Sequence, residues 1–342
     1  MKRRSLIQLA GSAAVGIALP RFTHAQGAYR AEYKMSTVVP PAFAWGKGGE
    51  IFANLVRERT SGRINIKQYP GASLVQGQQD RELSAMRQGI IDVLVGAPIN
   101  WSGTVKEFGV FALPFLLPDH AAYDAVVNAD VMTKDFFGLV RKAGAEPLAV
   151  GETGYRQLSN SKRPVIKPDD FKGLKIRVVA SPMYQEIMTG MGANPTAMSW
   201  ADATPALASG AVDGQENPLE VFLAAKIHTL GQKYVTKWNY SNDILLFAIA
   251  GDVWSTWTAA DQKIVREAAI DAAKEQTKLV RDMFAQDVAK VTELGVQVHV
   301  PTPAEMDLWR AACKPVFTKW KGQIGAELVG KIEDVVARSR KA

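Results

Sequence analysis

Cysteine and histidine are scarce in this sequence. Cys313 is the only cysteine among 342 residues, which excludes a disulfide within the chain. Beyond residue 25 the histidines are His120, His228 and His299, and no two of them stand four residues apart, a spacing typical of zinc ligands on a helix. We therefore expect no metal ion and no cofactor. We also expect packing alone to hold the fold, with Cys313 buried in a helix.

Long apolar runs are also missing beyond the N-terminus. The most apolar stretch, 110–118, is interrupted by prolines and is far shorter than the roughly 20 residues of a membrane-spanning helix. We expect no transmembrane segment in the mature chain. The net charge is +7, but residues 1–25 hold four basic residues and no acidic one, and no basic cluster interleaved with aromatics follows. The composition therefore does not predict binding to nucleic acid.

Residues 1–25 have the features of a cleaved export signal. Residues 2–4 are basic, residues 9–19 are apolar, and 23–25 form a candidate cleavage site. The paired arginines fit a twin-arginine signal, and an ordinary Sec signal is the alternative that the sequence leaves open. Either route predicts a protein of the periplasm.

The remaining chain alternates strand-like and helix-like segments, which predicts an α/β fold. One order of elements occurs twice, and each copy includes a helix, a glycine and a short strand with an aspartate, at RQGIIDV (87–93) and ASGAVDG (208–214). The repeat predicts two similar lobes, each built on a small parallel sheet. The longest helical pattern, 258–295, begins at Thr258 with Asp261 three residues on, and ends at Gly295. At about 1.5 Å per residue it would be on the order of 50 Å long, enough to brace both lobes.

Two arginines are candidate ligand contacts. Arg177 lies in the strand LKIRVVA (174–180), although parallel strands covered on both faces are normally apolar. Three explanations are open: Arg177 lies at a sheet edge, it pairs with a structural carboxylate, or it lies near the end of the strand, where α/β proteins bind ligands. A guanidinium can hold a ligand carboxylate through two parallel hydrogen bonds. Arg156, in the loop after another strand, is a second candidate or part of a surface salt bridge.

Polar residues are crowded into 213–217, just before Pro218. Asn217, followed by Pro218 and Glu220, has the pattern of a helix N-cap, which is the structural alternative to ligand binding. Trp200 follows the candidate N-cap Ser199 and fits either a core position or a ligand contact. No Walker spacing and no G-x-S-x-G motif occurs. No motif nominates a catalytic residue, so a secreted α/β enzyme acting on an organic acid remains only an alternative.

Four motifs in order make the sequence resemble the DctP-type solute-binding subunits of TRAP (tripartite ATP-independent periplasmic) transporters. They are GYRQLSNSKRPV (154–165), DDFKGLKIRV (169–178), MGANPTAMSW (191–200) and GAVDGQENPLEVF (210–222). The resemblance implies a two-lobed, type II-like periplasmic binding protein with a long helix bracing both lobes. It predicts lobe 1 from 28–152 plus about 243–275, and lobe 2 from 153–242 plus about 276–342.

The resemblance also implies the function: a receptor that binds a small organic acid between the lobes and delivers it to TRAP membrane subunits. It implies that Arg177 forms the salt bridge to the ligand carboxylate, Arg156 adds a second basic contact, Asn217 hydrogen-bonds the ligand, and Trp200 packs against it. Where many relatives have an acid, this chain has QGQQD (76–80), so Gln78 or Gln79 takes that place. Four further aromatic residues either make the cleft aromatic-rich or pack at the hinge and within the lobes: Trp45, Trp101, Trp238 and Tyr240.

Overall fold

The computed structural model describes residues 29–340, so the predicted export signal lies outside the described residues. The strands are β1 (Tyr33–Ser36), β2 (Ile66–Tyr69), β3 (Val93–Gly96), β4 (Ala145–Tyr155), β5 (Gln157–Asn160), β6 (Lys175–Val178), β7 (Asn194–Ala197), β8 (Gly214–Asn217), β9 (Tyr234–Thr236), β10 (Asn242–Ala250) and β11 (Gln297–His299). The helices are α1 (Ala44–Arg59), α2 (Glu82–Arg87), α3 (His120–Val127), α4 (Phe137–Lys142), α5 (Pro182–Gly190), α6 (Trp200–Ser209), α7 (Leu219–Ala224), α8 (Gly251–Thr256), α9 (Ala259–Phe284), α10 (Asp287–Glu293), α11 (Pro303–Ile324) and α12 (Ala326–Ser339). Within these bounds no helix is both long and apolar enough to cross a membrane.

The strands form two sheets. One has the order β2-β1-β3-β10-β4 and the other β11-β9-β5-β8-β6-β7. In each, three parallel strands (β2-β1-β3 and β7-β6-β8) continue into antiparallel neighbours. Helices cover the sheets, so the predicted α/β class is confirmed. The chain passes from one sheet to the other between β4 and β5, where a single residue, Arg156, separates the strands.

The repeated aspartate has the same contacts in both sheets. The backbone N–H of Asp92 donates to the carbonyl of Lys34 (2.9 Å), and the N–H of Lys34 donates to the Asp92 carboxylate (2.8 Å). Asp213 and Lys175 make the same two bonds, at 2.7 and 2.9 Å. Each aspartate therefore fixes the point at which the chain, after a helix, enters the next parallel strand. This gives the sequence repeat a physical reason.

The long helix is shorter than predicted. It begins as expected, with Thr258 Oγ1 accepting a hydrogen bond from the backbone N–H of Asp261 at 3.0 Å. The predicted continuous helix over 258–295 is wrong, because α9 ends after 26 residues and the chain breaks before α10. At about 1.5 Å per residue, α9 spans about 39 Å. The break redirects the chain so that Asp287, at the start of α10, pairs with Lys237 Nζ at 2.6 Å.

The C-terminal helices connect both halves of the protein. Helix α11 packs against α5 and against residues 106–112, and α12 packs against α3. Cys313 is buried in α11, as predicted, and burial raises the pKa of its thiol to about 12. The lobe boundaries remain a prediction. The contacts of α12 favour grouping it with lobe 1 rather than with lobe 2.

Helix α9 is fixed to β4 by one buried amide. Gln276 Oε1 accepts a hydrogen bond from the backbone N–H of Glu152 (3.0 Å), and its Nε2 donates to the Glu152 carbonyl (2.8 Å). The side chain also fills the space over Gly48 of α1, where an added Cβ would lie 2.6 Å from Gln276 Cγ. Gln276 therefore joins α9, α1 and β4.

We expect Gln276→Ala to lower the free energy of unfolding by about 2 kcal/mol, because it leaves buried backbone groups of Glu152 without their partners. Urea unfolding followed by circular dichroism measures this. The adjacent exposed residue on α9 supplies the control, and Glu275→Ala should change stability by less than about 0.5 kcal/mol. Equal effects of the two substitutions would contradict this role of Gln276.

Candidate functional site

A small cavity lies between the two sheets. Five of the seven predicted site residues line it: Gln79, Arg156, Arg177, Trp200 and Asn217. The remaining lining residues are apolar or aromatic (Val38, Val39, Trp45, Ala97, Ile99, Val179, Val221) or polar (Asn100, Thr153, Asp243).

Arg177 contributes an unpaired positive charge to this cavity. Strand β6 lies between β7 and β8, so Arg177 is not at a sheet edge. The residue is 1% exposed. Its guanidinium donates from Nη2 and Nε to the carbonyl of Met198 (2.8 and 3.2 Å) and lies 5.7 Å from the ring centroid of Trp200. Within residues 29–340 no carboxylate forms an ion pair with it. Both structural explanations of Arg177 are therefore wrong, and burial lowers its pKa to about 10.

Arg156, by contrast, has a partner. Its Nη2 donates to Oε1 and to the carbonyl of Glu216 (2.8 and 2.6 Å), and its Nε donates to Oε2. Both side chains are buried, so the pair is not the surface salt bridge considered from the sequence. Burial alone would lower the pKa of Arg156, but the charge of Glu216 outweighs it and raises that pKa. One carboxylate therefore balances one of the two cavity arginines.

Asn217 does not cap a helix. It is the last residue of β8, and α7 begins two residues later without a side-chain cap. Its Oδ1 accepts from Arg156 Nη2 (3.0 Å) and its Nδ2 donates to Gln215 Oε1 (2.5 Å). The predicted N-cap is wrong because pairing with β5 extends the strand through Asn217 and keeps the amide beside the cavity.

Gln79 and Asn100 form a second polar group in the cavity. Gln79 Oε1 accepts from the backbone N–H of Trp200 (2.9 Å), and Gln79 Nε2 donates to Asn100 Oδ1 (2.8 Å). The Nδ2 of Asn100 is buried and has no hydrogen-bond partner in the structure. Sequence reasoning missed Asn100. Its signal was a polar residue shortly after the apolar strand β3, at the end where α/β proteins bind ligands.

Asp243 is a further lining residue that was not predicted as a contact. Its carboxylate accepts from the backbone N–H groups of Ile99 (3.1 Å) and Ile244 (2.9 Å). Burial raises its pKa to about 7. An acidic residue at the start of the otherwise apolar strand β10 was the available signal. The cavity therefore contains a carboxyl group that titrates near neutrality.

The predicted aromatic cleft is largely wrong. Trp238 and Tyr240 are fully buried and do not line the cavity. Their rings stack 4.4 Å apart, Trp238 packs on Trp309, and the Tyr240 hydroxyl donates to Glu216 (2.7 Å). Trp101 is likewise buried away from the cavity. Of the expected aromatic residues, Trp45 and Trp200 line it. In the described part of the chain no group of three or more His, Cys, Asp or Glu residues is placed to hold a metal ion.

A family model of bacterial extracellular solute-binding proteins, family 7 (DctP), matches residues 35–323. The chain belongs to this family. The family consists of binding receptors, so the alternative of a secreted enzyme is set aside. The match confirms the resemblance seen in the four motifs.

Several DctP relatives are similar over most of their length. The TRAP periplasmic solute-binding protein of Ralstonia eutropha H16, solved with bound (S)-2-acetolactate, is 54% identical, covers 91% of this chain and 100% of its own, and superposes with a TM-score of 0.89. A second, from Bordetella bronchiseptica with density attributed to pantoate, is 28% identical over 90% and 99%, with a TM-score of 0.82. The C4-dicarboxylate-binding periplasmic protein DctP of Rhodobacter capsulatus is 26% identical over 98% and 99%. These matches confirm the two-lobed fold.

We expect Glu216→Gln to lower the free energy of unfolding by about 3 kcal/mol, because it leaves the buried guanidinium of Arg156 without a counter-charge. Chemical unfolding without solute measures the change. Glu327→Gln, which removes an exposed salt-bridge partner on α12, is the matched control and should have an effect below about 0.5 kcal/mol. A small effect of Glu216→Gln would mean that the pair does not carry this charge balance.

Proposed function

We propose that this DctP-family protein is a periplasmic receptor for a small monocarboxylate, held by Arg177, and that it delivers this solute to TRAP membrane subunits. The observation that carries the proposal is the buried guanidinium of Arg177 without a protein carboxylate. A buried, unpaired charge is costly, and a ligand carboxylate removes that cost through charge-assisted hydrogen bonds. Water exclusion from the closed cavity strengthens this pairing.

The charge balance favours a ligand with one negative charge. Glu216 neutralises Arg156, which leaves Arg177 as the unmatched cation. Asp243 adds a negative charge when it is ionised, which disfavours a second carboxylate on the ligand. We therefore propose a monocarboxylate rather than a dicarboxylate.

The other lining groups narrow the class of acid. The unpartnered Nδ2 of Asn100 needs an acceptor such as a keto or hydroxyl oxygen, and Asp243 can accept from a hydroxyl. Small aliphatic side chains (Val38, Val39, Ala97, Ile99, Val179, Val221) suit methyl groups. The relatives solved with acetolactate and with density attributed to pantoate support the same class. We propose a short, branched 2-hydroxy or oxo monocarboxylic acid.

We expect wild-type protein to be stabilised by 2-hydroxy-2-methyl-3-oxobutanoate. At about 100 times its Kd the ligand should add about 2.7 kcal/mol, a shift of several degrees in the unfolding temperature. Arg177→Ala should weaken binding about 100-fold, and Arg177→Lys about tenfold, because lysine retains the charge but not the planar fork. The exposed Arg310→Ala is the control. Full affinity in Arg177→Ala would overturn the proposal.

Asn100 should distinguish acids that carry a hydroxyl or keto oxygen from acids that carry only the carboxylate. We expect Asn100→Ala to weaken binding of 2-hydroxy-2-methyl-3-oxobutanoate about tenfold, because one hydrogen bond to the ligand is lost. The affinity for 3-methylbutanoate, which has neither the hydroxyl nor the keto group, should be weak and change little. Calorimetric titration of both acids gives the comparison, and an equal loss for both would show that Asn100 does not read the second oxygen.

A further inference from the structure

Helix α1 has no N-terminal cap of its own. Phe43 occupies the cap position without a side-chain hydrogen bond, and the first turn holds no acidic residue. The missing acceptor comes from another part of the chain, since Glu220 Oε1 accepts from the backbone N–H of Ala44, the first helical residue, at 2.8 Å. Glu220 is in α7, which follows β8 of the six-stranded sheet, whereas α1 follows β1 of the five-stranded sheet. The cap therefore crosses the cleft.

A second hydrogen bond joins the two halves, and here the five-stranded half supplies the acceptor. Gln79 follows β2 of the five-stranded sheet, and its Oε1 accepts from the N–H of Trp200, the first residue of α6, which leads into β8 of the other sheet. The Glu220 contact adjoins a small apolar cluster in which Val39 and Phe43 meet Val221 from α7. Each half of the protein thus supplies a side-chain oxygen to the first amide of a helix of the other half.

We propose that Glu220 is a positioning residue for solute binding: its carboxyl group caps α1 only in the closed cleft and so sets the fraction of protein in the binding-competent form. This inference rests on the proposed receptor function. Apparent affinity is proportional to the competent fraction, so a residue that never touches the solute changes affinity through closure. Loss of the cap should appear mainly as faster solute release.

The cap also couples closure to pH. Burial raises the pKa of Glu220 to about 7 in the closed form, against an ordinary value of 4.5 for an exposed glutamate. Closing therefore takes up a proton. The stabilisation is fully present below the pKa of the open form and is lost as the pH rises through the pKa of the closed form. Between pH 8 and pH 6 this linkage predicts about a tenfold gain in affinity.

Few other charges face Glu220. It is the only ionisable residue of α7, and no charged side chain contributes to its raised pKa. On α1 the first charged residue is Lys47, which is exposed and pairs with Glu50. In the neighbouring cavity, Asp243 also titrates near pH 7, so its contribution must be separated by a variant.

The test compares Glu220→Ala and Glu220→Gln with wild type, using 2-hydroxy-2-methyl-3-oxobutanoate as the probe at pH 6 and pH 8. We expect Glu220→Ala to weaken binding about fivefold at pH 6 and to accelerate dissociation, because the cap is lost. Glutamine still offers an acceptor oxygen, so Glu220→Gln should bind at pH 8 at least as tightly as wild type and lose the pH dependence due to this residue. There are two controls: Asp243→Asn, which should keep the pH dependence due to Glu220, and the surface variant Glu50→Gln.

Affinities that are the same in wild type, Glu220→Ala and Glu220→Gln at both pH values would overturn the inference. If wild type binds no acid at all, the proposed ligand class fails instead, and a readout without solute still decides the role of Glu220. At pH 6 the closed fraction without solute, measured by single-molecule energy transfer between one label on each lobe, should be lower in Glu220→Ala than in Glu220→Gln. Equal closed fractions in the two variants would overturn the cap independently of any solute.

Discussion

The guanidinium of Arg177 lies in the middle of a sheet with a carbonyl oxygen and an indole ring as its neighbours, and the design of the cavity follows from this charge. A buried cation of this kind is tolerated when a counter-charge arrives with a ligand. The neighbouring Arg156 is already neutralised by Glu216, so the two arginines do not demand two anions. In the receptor that we propose, charge selection therefore rests on the difference between a paired and an unpaired arginine.

The surrounding fold keeps these groups in place from both sides. Strands β6 and β8 present Arg177 and Asn217 from one sheet, and the segments after β2 and β3 present Gln79 and Asn100 from the region of the other. Arg156 stands where the chain crosses between the sheets. Because the cavity is built from both halves, its polar network is complete only when they are together. In the proposed receptor this links recognition of the solute to closure.

Much of this arrangement could be predicted from the sequence. The repeated aspartates 92 and 213, the Thr258 cap and the buried Cys313 are local patterns with local causes, and all appear as expected. The errors arose where distant contacts override local signals. Asn217 has a helix-cap pattern, but pairing with β5 makes it part of a strand. The long helix ends at Phe284, shortly before Asp287 pairs with Lys237. Nor could spacing reveal that Trp238 and Tyr240 pack in the core or that Asn100 retains a free donor.

The single buried thiol has a consequence for labelling the protein with thiol reagents. Cys313 is buried in α11, and the raised pKa keeps it in the unreactive protonated form at neutral pH. Maleimide reagents therefore have little to attack on the native protein. Cysteines introduced at one exposed position on each lobe would be the principal reactive sites, so paired fluorophores or spin labels could follow the opening of the cleft in the otherwise unaltered chain.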